Sequence, residues 1–222
     1  IPFLALLPFT IFITLSPKFY PLLYFFLHRI SKFMMYASGI IPIIKKEHKL
    51  DPKKQYLLLS NHGSTLDIPM MFFISKKPIA FIGKESLVKL PIFGYYYKRF
   101  NVLVNRTSLR NSYQAFEQAG EKIKAGQNMV IYPEGGIIKD ERRLAKFKNG
   151  PFRLAVEQNV CVIPITFADN KNIFPERFTK GKPMRARVTI HKPIENCSSM
   201  NIEELKEKVF NTIEQELIRY EN

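Results

Sequence analysis

The sequence predicts an α/β fold, a layered sandwich around a mostly parallel sheet, with an N-terminal two-helix membrane-seating segment. Three observations carry that expectation. Seven short apolar runs recur from residue 40 onward with helical spacing between several of them, the pattern of strands joined by helices. The first acidic residue is Glu47, so everything before it sets only basic charge against an apolar background. The length of 222 residues suits one domain of catalytic size with an appendage better than two full domains. We place the division at 1–37 for the apolar helices and 38–222 for the domain.

Taken in order, Ile1 to Ser16 carries no charge, and after Pro17-Lys18 a second apolar run, Phe19 to Leu27, ends in His28, Arg29 and Lys32. A spanning helix needs about 20 apolar residues, and each run is shorter. Read jointly the two runs make one kinked span, but the break at Pro17-Lys18 suits two short helices dipping into one leaflet, the further alternative being a pair of buried core helices. A signal peptide would begin with basic residues and end in small ones, and this segment does neither. Strands are expected at Ile40 to Ile44, Tyr56 to Leu59, Ile79 to Ile82, Val102 to Val104, Met129 to Tyr132, Val160 to Ile165 and Ala186 to Ile190. Leu109, Tyr113, Phe116, Ala119 and Ile123 recur at helical spacing opposite Arg110, Glu117, Glu121 and Lys124, with Gly126 as the stop. At the C-terminal end Asn201 is placed as a cap with Glu204 three residues on, and Leu205, Val209, Ile213 and Leu217 form the apolar stripe.

Composition narrows the function classes. With 46% hydrophobic and 24% charged residues the chain is ordinary globular protein, neither disordered nor fibrous. Its 34 Lys+Arg against 19 Asp+Glu leave +15, which calls for an anionic partner: nucleic acid, a phospholipid surface or an acidic carrier. Two cysteines, Cys161 and Cys197, make no disulfide framework and suit a reducing, cytosol-facing setting. His28, His48 and His191 have no ligand-like grouping, so no metal site is expected.

The chemistry concentrates after the apolar run Tyr56 to Leu59, in Ser60-Asn61-His62-Gly63-Ser64-Thr65-Leu66-Asp67. A strand end followed by a Gly-containing turn into a helix is where α/β proteins place reactive groups. His62 can take a proton near neutral pH. Asp67, one helical turn away, can hold one ring nitrogen and leave the other free for a hydroxyl. The plainer account of the same residues is that Asp67 caps the helix and His62 belongs to the turn. Ser64 is expected to cap rather than to attack. The pairs Met34-Met35 and Met70-Met71 are read as core or chain-contact residues.

Three further segments tip the balance. Phe81-Ile82-Gly83-Lys84-Glu85-Ser86 leads through Pro91-Ile92-Phe93-Gly94 to Val104-Asn105-Arg106. Val130-Ile131-Tyr132-Pro133-Glu134-Gly135-Gly136 opens a basic loop with Lys139, Arg142, Arg143, Lys146 and Lys148, and Cys161-Val162-Ile163-Pro164-Ile165 is an apolar strand broken by proline. In this order and spacing the four segments resemble the motifs of the PlsC-type lysophospholipid acyltransferases, the 1-acylglycerol-3-phosphate acyltransferase family, over about residues 38 to 195. The N-terminal apolar pair is similar to that family's membrane-seating helices.

The resemblance implies an O-acyltransferase whose catalytic dyad is His62 and Asp67. His62 would deprotonate a lysophospholipid hydroxyl, which attacks the thioester of acyl-CoA or acyl carrier protein, and backbone N–H groups of the glycine turns would steady the oxyanion. No cofactor is implied beyond that acyl donor, and no G-x-S-x-G elbow suggests an acyl-enzyme. Arg106, with Lys84 as helper, falls where the family binds substrate phosphate. Glu134 and Gly135 keep the family's third block, implied to order the loop or touch the glycerol. That block departs at Gly136-Ile137, where the family has Thr-Arg, so Lys139, Arg142 or Arg143 would supply phosphate contacts, or the acceptor is a different lysophospholipid or an amino-acid-derived lyso-lipid. Pro164 is expected to shape a strand edge.

The expected product is phosphatidic acid, made at the cytoplasmic face of a membrane. A non-enzymatic binder of nucleic acid or anionic lipid is the contrasting reading, and neither a basic recognition helix nor aromatics interleaved with basic residues supports a nucleic-acid partner. The segment Lys171 to Lys192 holds seven basic residues against Glu176, and Lys139 to Lys148 holds five against two acids. These stretches and the acid-free N-terminus describe a face for anionic lipid, at about 1 kcal/mol of attraction per basic residue near the surface.

Overall fold

Leu57 and Leu59 pack on one side of the sheet, Tyr56 and Leu58 on the other, and all four are buried. A strand apolar on both faces needs cover on both, and that need organises the molecule. The computed structural model describes residues 19–89, 93–104, 109–138, 142–175 and 180–221. Its seven strands are β1 (Ile41–Lys46), β2 (Tyr56–Ser60), β3 (Ile79–Lys84), β4 (Val102–Val104), β5 (Asn128–Ile131), β6 (Cys161–Phe167) and β7 (Arg185–Ile190), lying in the order β1-β7-β6-β2-β5-β3-β4. Every neighbouring pair is parallel except β6 and β7. All seven predicted strands are present, with ends shifted by a few residues.

The helices are α1 (Tyr20–Ala37), α2 (Asp67–Ile74), α3 (Phe93–Phe100), α4 (Leu109–Lys124), α5 (Gly150–Glu157), α6 (Asn170–Ile173) and α7 (Ile202–Glu221). Side chains of α4, α5 and α7 join Leu57 and Leu59 in one core; those of α1, α2 and α6 join Tyr56 and Leu58 in the other. The result is the three-layer sandwich that the sequence predicts. In α7 the stripe Leu205, Val209, Ile213 and Leu217 is buried, and the Asn201 side chain accepts the Glu203 N–H at 2.9 Å as a cap.

Three expectations need adjustment. Among the described side chains of α4, Ala115, Ala119 and Ile123 are buried and Phe116 is half-buried against the same core, so the expected stripe holds there, while Tyr113 is exposed. Small alanines let the helix lie close to β4 and β5, which turns the apolar stripe away from Tyr113. Pro164 lies inside the sheet rather than at an edge, between the Val162–Ile194 bridge and the ladder that starts at Ile165, and its carbonyl accepts the His191 N–H at 3.0 Å. At the N-terminal end, the run Ile1 to Ser16 lies outside the described residues. The second run forms α1, whose inner stripe of Leu23, Tyr24, Ser31 and Met35 is buried.

Polar contacts fix α1 to α2. The Tyr24 hydroxyl donates to the Ser75 carbonyl at 3.2 Å, and His28 Nδ1 donates to the Phe72 carbonyl at 2.8 Å. The opposite side of α1 leaves Leu22, Phe25, Phe26, Ile30, Phe33, Met34 and Tyr36 exposed, with Arg29 exposed among them and Lys32 half-buried at its flank, its Nζ 5.7 Å from the Phe73 ring centroid. Among the described residues no helix is long and apolar enough to cross a membrane.

Phe152 on α5 is fully buried in the core under α7, with the Phe147 ring 6.1 Å away. Phe152→Ala is expected to cost about 3–5 kcal/mol in denaturant unfolding.

Candidate active site

Three neighbouring strands, β5, β2 and β6, end side by side, and the chain leaving each contributes to one cleft. The carboxyl ends of adjacent parallel strands are where an open α/β sheet presents reactive groups. The turn after β2 is pinned first by Asn61, whose side-chain amide donates to the Phe167 carbonyl and accepts the Phe167 N–H, both at 2.9 Å. This pairing extends the β2–β6 contact by one step and sets His62 at the sheet end. The His62 main chain is held too: its N–H donates to Glu134 Oε1 at 2.6 Å and its carbonyl accepts the Ile138 N–H at 3.1 Å.

Asp67 opens α2 and is fully buried. Its Oδ2 accepts His62 Nδ1 at 2.8 Å and the Ser64 N–H at 3.0 Å, and its Oδ1 accepts Asn170 Nδ2 at 2.8 Å. Because the carboxylate sits on Nδ1, that nitrogen carries the proton and Nε2 keeps its lone pair, the tautomer a general base requires. Among the described residues Nε2 has no hydrogen-bond partner, and His62 lines the cleft. The imidazole lies on the Tyr132 ring at 3.9 Å between centroids and 12° between planes. Burial, with the Asp67 charge adding to it, pushes the Tyr132 phenol well above its usual range, so this platform stays neutral. The Ser64 hydroxyl donates to the Phe174 carbonyl at 2.5 Å and accepts the Leu66 N–H at 3.0 Å, a turn-forming role with no nucleophilic geometry.

Glu134 is a strut between loops. Its two oxygens accept the N–H groups of His62 at 2.6 Å and Ala145 at 2.8 Å, so the chain after β5 and the basic loop are tied to the His62-to-Asp67 turn through one buried carboxyl. Burial raises its pKa from 4.5 to about 7, against the pull of those two donors. Next to it Gly135 has φ of 85°, a left-handed conformation that a side chain disfavours, and its N–H donates to the Tyr132 carbonyl at 3.0 Å.

The cleft over His62 has a volume of about 550 Å³, and its lining includes Gly63, Ile138, Arg142, Arg143, Lys171 and Glu221. Arg143 grips Glu221 through Nε at 2.9 Å and Nη2 at 2.5 Å, and Lys171 Nζ donates to the Arg142 carbonyl at 3.0 Å. The fold thus brings His62, Asp67, Glu134 and Gly135 into one place. Lys84 closes β3 in register with Val104 of β4, while Arg106 and Lys139 lie outside the described residues. Asn61 and Asn170 escape sequence reasoning, since Asn170 reaches Asp67 across 103 positions and only the fold makes them neighbours. Among the described residues no group of His, Cys, Asp and Glu is placed to hold a metal ion.

A family model described as Acyltransferase matches residues 26–168, well over half of the chain and every loop that builds the cleft up to the end of β6. The chain belongs to the acyltransferase family. A 1-acyl-sn-glycerol-3-phosphate acyltransferase of Chlamydomonas reinhardtii is 29% identical to this acyltransferase over 156 residues, 69% of this chain and 46% of that one. A chloroplastic 1-acyl-sn-glycerol-3-phosphate acyltransferase of Arabidopsis thaliana is 34% identical over 139 residues, 61% and 38% of the two chains. One from Borreliella burgdorferi is 22% identical over 190 residues, 85% and 74%. The chain therefore spans less than half the length of the algal and plant relatives and most of the bacterial one. The crystal structure of the 1-acyl-sn-glycerophosphate acyltransferase PlsC of Thermotoga maritima shares the fold with a TM-score of 0.81 at 21% identity, over 96% of this chain and 88% of that one.

Glu134→Gln would set an amide NH₂ against the N–H of His62 or Ala145, and is expected to cost about 1–3 kcal/mol of stability. The folded pKa of Glu134 lies above its ordinary value, so its contribution to stability is complete below pH 4.5 and is lost as pH rises through about 7. The Gln variant has no such group. Its deficit in denaturant titrations is therefore expected to be largest near pH ~5 and to narrow by pH ~8.

Proposed function

We propose that this acyltransferase moves a fatty acyl group from acyl-CoA or acyl carrier protein to the 2-hydroxyl of 1-acylglycerol 3-phosphate, giving phosphatidic acid. The observation that carries the reading is the buried Asp67 carboxylate on His62 Nδ1, which leaves Nε2 as a lone pair in a cleft. Nε2 takes the proton of the acceptor hydroxyl as its oxygen bonds to the thioester carbon. The tetrahedral intermediate then expels the thiolate, which leaves with the proton held on Nε2, so the enzyme returns to its starting state without a covalent intermediate. Gly135 N–H is committed to Tyr132, which leaves the N–H groups of Gly63 and Gly136 as the glycine-turn donors for the oxyanion.

A phosphate-bearing acceptor is supported by the cations beside the dyad. Ile137 stands where the family's third block has arginine, and Arg142, Arg143 and Lys171 line the same cleft. Lys84 and Arg106 are assigned to the phosphate by their motif positions. The loss of the third-block arginine also favours a second reading, the same chemistry on another lysophospholipid. Two acyl donors remain in play because coenzyme A phosphates and an acidic carrier both suit a chain of net charge +15.

The site is proposed to work on an anionic membrane surface at the cytoplasmic face. The exposed side of α1 supports this, since Phe25, Phe26, Ile30, Phe33 and Met34 stand beside Arg29 and Lys32, apolar groups for the acyl boundary with cations at head-group level.

Purified protein in detergent, given labelled acyl-CoA or acyl carrier protein and a panel of lysophospholipids, is expected to acylate lysophosphatidic acid. His62→Ala is expected to lose at least ~10²-fold in rate while keeping its circular dichroism. A fully active alanine variant overturns the general-base reading, and preference for a different head group decides for the second acceptor. Phe33, 73% exposed, supplies the membrane test. Phe33→Glu is expected to change stability by less than ~0.5 kcal/mol and to reduce co-sedimentation with anionic vesicles several-fold.

A further inference from the structure

Asp67 Oδ2 is shared by His62 and Ser64, whereas Oδ1 is met by Asn170 Nδ2 at 2.8 Å. We infer that Asn170 is a positioning residue for the dyad: it fixes the Asp67 carboxylate and, by drawing charge toward Oδ1, sets how tightly His62 holds its proton. This rests on the proposed role of His62 as general base.

The orientation of the Asn170 amide follows from chemistry. A carboxylate oxygen only accepts, so the amide nitrogen faces it. Asn170 is 1% exposed, and among the described residues its own Oδ1 is buried without a hydrogen-bond partner. A side chain serving packing alone would be cheaper as leucine there; an amide with one half unused fits a position where the other half is needed.

The surroundings hold that amide from behind. Asp169, 2% exposed, accepts three bonds from Arg187: the backbone N–H at 2.8 Å, Nε at 2.9 Å and Nη2 at 2.6 Å. Arg187 in turn lies 4.7 Å from the Tyr220 ring centroid and donates Nη1 to the Tyr220 carbonyl at 3.2 Å. One turn past Asn170, the Phe174 carbonyl accepts the Ser64 hydroxyl. The short helix α6 thus grips the His62-to-Asp67 turn at both ends, and it is anchored to β7 and the last turn of α7. Asn170 and its anchor lie beyond residue 168, where the family match ends.

The sign of the effect is fixed. A hydrogen bond to Oδ1 draws charge away from the oxygen that faces the imidazole, so its removal leaves Asp67 a stronger partner for the protonated ring. In the assay above, Asn170→Ala is expected to lower kcat about 10–100-fold, the scale seen when a partner behind a functional histidine is lost. KM for both substrates should stay within about twofold, since Asn170 is placed to act on the transition state through His62. The acid limb of the kcat/KM profile should move to higher pH. Asn170→Leu, close to asparagine in volume, removes the donor without adding a charge, so it should move the limb in the same direction and serves if the alanine variant does not fold.

A profile that superimposes on that of the parent after scaling overturns the assignment, because a purely structural role lowers the amount of active enzyme without moving the limb. His62→Ala assayed in parallel separates the two claims. Activity in that variant refutes the general base itself, whereas an inactive His62→Ala with an unmoved Asn170 profile refutes only the positioning role.

Discussion

A carboxylate taken wholly out of water has to be given donors, and the architecture of this acyltransferase follows from where those donors come from. Asp67 receives one from the imidazole it orients, one from the backbone of its own turn and one from a helix over a hundred residues later. Each supply requires a strand end to be in place: β2 for the turn, β6 for α6, and β5 for the Tyr132 ring on which the imidazole rests. The sheet order that puts β5, β2 and β6 side by side is what makes the set possible. An unpaired buried charge would cost several kcal/mol, so the dyad and the fold stabilise each other.

The strands were legible because each is a short apolar run bounded by turn residues, and β2 in particular, apolar at four consecutive positions, announces burial on both faces. His62 and Asp67 were legible because a five-residue spacing across a turn and one helical step can bring them together without help from the rest of the chain. The strut function of Glu134 was half legible: its motif pointed to the loop, but the two backbone groups it joins, 72 and 11 positions away, are set by tertiary structure. Asn170 carried no signal, since an asparagine followed by a short helical turn reads like any loop. Tyr113 was misplaced on the α4 stripe because periodicity counts it with the apolar residues, whereas the face that meets the sheet runs through Ala115, Phe116, Ala119 and Ile123.

The two sides of the sheet carry different burdens. One is closed by α4, α5 and α7 around a core of ordinary packing. The other, under α1 and α2, combines a core with a surface still rich in aromatic and aliphatic side chains, even though Leu23, Tyr24 and Met35 already satisfy the packing of α1. A helix apolar on more sides than its contacts with protein use is what the proposed seat on a lipid surface would require.

His62 has two parts to play, its ring as the proposed base and its main chain in the architecture, since its N–H and carbonyl fasten the turn to Glu134 and Ile138. Those two bonds do not depend on the side chain. A protein lacking the imidazole would keep the loops around the cleft in register, and on the proposed chemistry would hold the proposed donor and acceptor together without consuming either. The separation of reactivity from scaffolding at a single residue makes such a disabled protein a trap for the ternary complex, the state in which both partners could be seen in place.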